Sequence, residues 1–175
     1  MRILGIDPGT QVCGYGVIET DGHEVRALDY GVVKSKDRSL PERLRAIHEG
    51  LVTVMGRFEP DVVAIETAFF GKDARSALRI GEGRGVALLA AAGRGLPVAE
   101  YAPAEVKKAV VGTGRAHKSQ VQQMVRVILG LRELPAPDDA ADALAIAICH
   151  LHRLPLEEAG QTGRKPLPGK DQPAL

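Results

Sequence analysis

The chain opens on an apolar run, Ile3-Leu4-Gly5-Ile6, between Arg2 and Asp7. A strand covered on both faces reads this way, whereas a strand with one wet face alternates. Asp7-Pro8-Gly9-Thr10 is turn chemistry, because proline fixes one φ and glycine accepts either sign. Gly14-Tyr15-Gly16-Val17-Ile18-Glu19 predicts a second strand, Asp21-Gly22 a hairpin, and Glu24 to Val33 the returning strand. Three antiparallel strands therefore begin the fold. The period changes at Ser39-Leu40-Pro41-Glu42, a capping-box pattern, after which Leu40, Leu44, Ile47, Leu51, Val54, Met55 and Phe58 share one helical face. Glu59-Pro60 ends that helix, and Asp61 to Glu66 is again strand-like. Lys72 to Arg94 predicts a long helix whose Gly81 and Gly85 weaken it in isolation but admit a neighbouring element or a second subunit. A short strand at Leu96–Tyr101 precedes a helix at Pro103–Val111 and a loop at Gly112–Arg115. A second capping pattern, Ser119 to Gln122, leads a helix with Val121, Met124, Val125 and Ile128 inward. Pro135-Ala136-Pro137 stops the chain before a last helix, Asp138 to His152. Interleaved strands and helices of this kind predict an α/β fold, a mixed sheet with helices on both faces.

Composition adjusts this picture only at its edges. A length of 175 residues with 45% hydrophobic content is one domain with a real core. The expected domain is 1–153. Proline, glycine and charge without periodicity predict a disordered tail at 154–175. No apolar run approaches the ~20 residues that span a bilayer, and the N-terminus lacks a signal-peptide pattern. Cys13 and Cys149 have no metal-type spacing and are expected to be reduced, packed thiols of a cytoplasmic protein.

Charge is more informative in its distribution than in its sum. The net charge is +1, yet from Gly71 to Arg126 ten basic residues face four acidic ones. Against this basic middle stand four carboxylates at element ends. Asp7 and Glu66 each finish an apolar strand, and Asp139 and Asp142 open an alanine-rich helix three residues apart, on one face. Acids there are costly unless paired or bound to metal. If the fold gathers them, they form an oxygen-rich pocket suited to Mg²⁺ or Mn²⁺, and the basic middle suggests a polyanionic substrate. Asp138, directly after Pro137, is expected to be the helix N-cap instead. Lys107 and Lys118 could each bring an ammonium to a phosphate or to the carboxylates. Phe69 and Phe70 share a short loop, where one could pack under the next helix and the other stack on or wedge between bases.

Together these residues resemble the RuvC family of Holliday-junction resolvases. The match rests on Gly5-Ile6-Asp7-Pro8-Gly9-Thr10 with Gly14-Tyr15-Gly16, on Ala64-Ile65-Glu66, on Ser76-Ala77-Leu78 with Gly83-Arg84-Gly85, on Val110-Val111-Gly112 with Lys118 to Gln122, and most specifically on Asp139-Ala140-Ala141-Asp142-Ala143-Leu144-Ala145. The resemblance implies an RNase H-like fold with a five-stranded sheet, and Asp7, Glu66, Asp139 and Asp142 as catalytic metal ligands. Some relatives carry histidine at the position of Asp139. It implies that Lys107 and Lys118 are basic residues of the active site and that Phe69 lies near a junction centre. Phe70, Lys72, Arg75, Lys108 and Arg115 are further candidates to contact DNA. It also implies a homodimer that cuts four-way junction DNA by paired symmetric nicks and works with the RuvA and RuvB branch-migration proteins. Two divalent ions, Mg²⁺ or in its place Mn²⁺, suit four carboxylates and phosphodiester hydrolysis. An ATPase of the actin and sugar-kinase superfamily shares the Gly-Ile-Asp-x-Gly-Thr pattern but needs a second domain, and this chain is too short for one.

Overall fold

The structure is a computed structural model that describes residues 1–36, 39–67 and 74–154, with the side chains of 74–77 outside that description. The expected tail therefore falls almost wholly outside the described residues. The elements run β1 (Arg2–Asp7), β2 (Val12–Thr20), β3 (Val25–Lys34), α1 (Leu40–Phe58), β4 (Val62–Glu66), α2 (Ala74–Ala92), β5 (Val98–Tyr101), α3 (Pro103–Val111), α4 (Lys118–Ile128) and α5 (Asp138–Arg153). The sheet order is β3-β2-β1-β4-β5, antiparallel through the first three strands and parallel from β1 to β4 to β5. This is the mixed five-stranded sheet the sequence predicts.

The continuous apolar strands follow from double coverage. Alternate residues of β1 and β4 face opposite layers. Leu4, Ile6, Val63 and Ile65 pack with Ile47, Leu51 and Met55 of α1 and with Ala87, Ala90 and Ala91 of α2. Ile3, Val62 and Ala64 pack on the other side with Leu144 and Ile148 of α5, Val106 and Val110 of α3, and Val121 and Val125 of α4. Cys13 and Cys149 are both buried and free, as expected. No helix among the described residues is long and apolar enough to cross a membrane.

The local signals mostly act where the sequence puts them. Asp21 Oδ1 accepts the N–H groups of His23 and Glu24 at 2.9 Å each, making the β2–β3 turn. Ser39 caps α1, with its Oγ accepting the Glu42 N–H at 3.4 Å. Glu59 ends that helix in a left-handed conformation, φ 46° and ψ 61°. Two readings need correction. The capping pattern of α4 begins two residues earlier than expected: His117 is the N-cap, and Gln120 Oε1 accepts its N–H at 2.8 Å. Gln120 thus takes the third helical position, where a side chain can reach back to the cap. Met124 is also not inward. It is exposed, as is Val127, because α4 lies at the margin of its layer and buries only the narrow stripe of Val121 and Val125.

Candidate active site

Asp7 and Glu66 directly follow the paired residues Ile6 and Ile65 at the C-terminal ends of two adjacent inner strands. Side-chain alternation continues from Ile3 and Gly5 to Asp7, and from Val62 and Ala64 to Glu66. Both carboxylates therefore belong to the face that α5 covers. The period-2 pattern that buries the strands also aims their last residues.

Three strand glycines then set the height of α5 above the sheet. A Cβ on Gly5 would fall 2.0 Å from the Ala143 carbonyl oxygen, one on Gly14 2.0 Å from that of Asp139, and one on Gly16 2.8 Å from the Leu144 side chain. Any other residue at these places would lift the helix, because a side chain would occupy the space its backbone fills. Ala140, Ala143 and Ala147, all fully buried, keep the helix side equally thin. The N-terminal turn of α5, with Asp139 and Asp142, is thereby held close to β1 and β2. The sequence signal for this seat is glycine at alternate positions, Gly14 and Gly16, on one face of a strand.

Asp7, Glu66 and Asp142 line one cavity with Lys107, Lys118, Val106 and Val121, and its volume is about 210 Å³. The apolar residues among these lower the local polarity and strengthen each charge. Burial, and then the charges of Glu66, Asp142 and Asp139, raise the Asp7 carboxyl to about 7, with Lys118 opposing. Glu66 is also raised, by burial and by Asp142, against Lys107 and Lys118. Asp142 is raised by burial despite its contact with Lys118. The Lys118 ammonium donates to Asp142 Oδ2 at 2.8 Å and lies 3.4 Å from Asp138 Oδ2. Burial would lower its pKa, but Asp142 and Asp138 outweigh that and hold it above the usual value. The site is a crowd of half-buried acids with one ammonium already drawn in.

Asp139 is half-buried beside this cavity and does not line it, though its charge reaches Asp7. Among the described residues no three His, Cys, Asp or Glu side chains close round a common ion position. The chemistry of the donors nevertheless fits a hard divalent cation. They are carboxylate oxygens, burial and then neighbouring acids raise Asp7, Glu66 and Asp142, and an ammonium stands among them.

Other expected residues fall elsewhere. Asp138 does not cap α5, whose N-cap is Pro137 without a side-chain bond. As the first helical residue its carboxylate turns outward to α4, where Gln122 Nε2 donates to Oδ1 at 3.0 Å and Lys118 approaches Oδ2. Lys108 and Arg115 are exposed and outside the cavity lining. Phe69, Phe70 and Lys72 lie outside the described residues, as does the side chain of Arg75. Gln122, expected in a capping box, instead holds Asp138, and sequence reading did not single out the α5 glycine seat or Thr67. The Thr67 N–H donates to the Tyr101 carbonyl at 2.9 Å and ties the chain just past Glu66 to β5.

Comparison with known proteins agrees over nearly the whole described chain. The family model for crossover junction endodeoxyribonuclease RuvC matches residues 3–150. The RuvC of Heliobacterium modesticaldum is 54% identical over 155 residues, 88% of this chain and 96% of that one. The RuvC of Chloroflexus aggregans is 53% identical over 156 residues, 89% and 95% of the two chains. Among solved structures, Thermus thermophilus RuvC superposes with a TM-score of 0.80 at 42% identity, covering 87% of this chain and 94% of that one. The same protein in complex with Holliday junction substrate gives 0.81 at 43% identity, covering 87% and 93%.

Proposed function

The chain belongs to the RuvC family of crossover junction endodeoxyribonucleases, and from that membership we propose that it resolves four-way DNA junctions by paired symmetric nicks in recombination and repair. The observation that carries this reading is the gathering of Asp7, Glu66 and Asp142 with Lys107 and Lys118 in one cavity at the ends of β1 and β4. Asp7, Glu66, Asp139 and Asp142 would hold Mg²⁺, or Mn²⁺ in its place, as two ions per site. Bound divalent ions supply an activated water and neutralise charge on the scissile phosphate.

The chain's own residues do the rest. Asp7 must be deprotonated to serve as a ligand, and its raised pKa ties that step to neutral pH. Lys118, paired with Asp142, is a positive charge at the place where negative charge develops during phosphoryl transfer. Lys107 stands across the cavity beside Glu66 as a second ammonium for the substrate. Val106 and Val121 keep that wall dry. Phe69, Phe70, Lys72, Arg75, Lys108 and Arg115 would meet the junction arms, mostly through phosphates and, for the aromatics, by stacking.

A two-fold dimer suits a four-way junction of approximate two-fold symmetry. The outward face of α2 supports a second copy there. Leu78 and Leu89 are 65% and 63% exposed, and a Cβ on Gly81 or Gly85 would meet nothing within 4 Å. Cooperation with RuvA and RuvB and a cytoplasmic location belong to the same proposal and rest on family membership.

A labelled four-way junction and its linear duplex, each with Mg²⁺ or EDTA, test it. Symmetric paired nicks are expected on the junction alone and only with metal. Asp7→Asn is expected to bind the junction and cut it at least about 10²-fold more slowly. Cutting that persists in EDTA, or undiminished in Asp7→Asn, would sink the mechanism.

A further inference from the structure

Gly83-Arg84-Gly85 belongs to the family match yet contributes nothing to the cavity lining, and it lies in α2, on the sheet face opposite α5. Its two glycines sit in different surroundings. Gly85 is exposed with open space at its Cβ position, whereas Gly83 is buried, and a Cβ there would stand 2.8 Å from both the carbonyl carbon and oxygen of Gly9. Gly9 follows Asp7 by two residues, in the turn by which β1 leaves the sheet. It is itself confined, since a Cβ on it would lie 2.1 Å from the Val12 carbonyl oxygen. The helix thus meets the Asp7 turn backbone to backbone, with no side chain at either glycine to give way.

The next residue reaches β5, the strand paired with the one that ends in Glu66. The Arg84 guanidinium donates to the Glu100 carboxylate. Glu100 is the register partner of Ile65, the residue before Glu66. Consecutive residues of one helix therefore touch the frames of both strand-borne carboxylates, one by close contact and one by an ion pair.

Stability accounts poorly for either feature. Glycine inside a helix costs about 1 kcal/mol relative to alanine. The Arg84–Glu100 side chains are 28% and 39% exposed, and ion pairs so placed contribute little. Precision of placement accounts for both, because a displacement of about 1 Å in a catalytic group is enough to lose most of its effect.

We propose that Gly83 and Arg84 are positioning residues that fix the separation of Asp7 and Glu66, and through it the affinity of the site for a divalent cation. This rests on the reading of those two carboxylates as joint holders of metal. Neither residue lines the cavity.

The experiment is calorimetric titration of Mn²⁺ into the full chain without DNA, with a thermal melt of each sample. The samples are wild type, Gly83→Ala, Arg84→Gln, Glu100→Gln, the exchanged pair Arg84→Glu with Glu100→Arg, and Asp7→Asn. Gly83→Ala is expected to bind Mn²⁺ about tenfold more weakly, and Arg84→Gln and Glu100→Gln several-fold more weakly. The exchanged pair should bind better than either single variant. Wild-type affinity in Gly83→Ala, or an exchanged pair no better than the single variants, overturns the proposal. Should Gly83→Ala fail to fold, the Arg84 and Glu100 set decides alone. Wild-type affinity in Asp7→Asn would overturn the carboxylate reading itself. Weak binding in Asp7→Asn beside normal binding in the other variants overturns only the positioning role.

Discussion

Asp7 combines burial with three like charges, and its raised pKa has a measurable sign. An acid whose folded value of about 7 exceeds its ordinary value of 3.8 stabilises the fold fully only below the lower value. That contribution is lost as pH rises to about 7. The metal-free protein should therefore melt at a lower temperature near pH 8 than near pH 5 from this cause. Asp7→Asn, which removes the charge, should melt higher than wild type near pH 8, and the gap should narrow as pH falls. Differential scanning calorimetry in EDTA reads both, and a lower melting temperature for Asp7→Asn near pH 8 would contradict the electrostatic picture. Metal affinity carries the opposite dependence, weakening as pH falls through about 7, because the ligand must lose its proton. Of the four acids the sequence singled out, the fold brings Asp7, Glu66 and Asp142 into one cavity and leaves Asp139 beside it. A carboxylate ending a buried strand has few explanations. Asp138 was harder, because an aspartate after proline at a helix start has several uses and only the position of α4 selects among them.

Helix α5 owes its closeness to the sheet to what its neighbours lack. Gly14→Ala would press a methyl group into the Asp139 carbonyl, where the only relief is movement of the helix start. Overpacking of this sort costs typically 1–3 kcal/mol, so a melting temperature lower by roughly 3–10 °C is expected. The same change should weaken metal binding, since it moves the turn that carries Asp139 and Asp142. A melt within about 1 °C of wild type would show that α5 can yield there. The elements themselves were legible where period and cap agreed, as in α1. They were less legible in α4, where Val121 has apolar residues at both the third and fourth places beyond it. Which of Met124 and Val125 turns inward depends on how much of the helix its layer covers, and no local pattern carries that information.

The whole molecule is a sheet with its two layers given different work. The layer of α3, α4 and α5 closes over the acids, and the layer of α1 and α2 braces their strands from behind. Topology was largely readable because turn residues and apolar runs set the strand and helix sequence. The strand order β3-β2-β1-β4-β5, which brings Asp7 beside Glu66, is a long-range pairing that local pattern does not carry. The contrast between the layers extends to their slow motions. α5 is packed backbone to backbone on three glycines and buries nearly all of its middle, from Ala140 to His150. α2 leaves Leu78 and Leu89 exposed and carries three interior glycines. Opening α5 should require loss of the whole fold, whereas α2 should open alone. Under native conditions its amide hydrogens are expected to exchange with deuterium well before those of α5, and occupation of the α2 face by a second copy should slow them selectively.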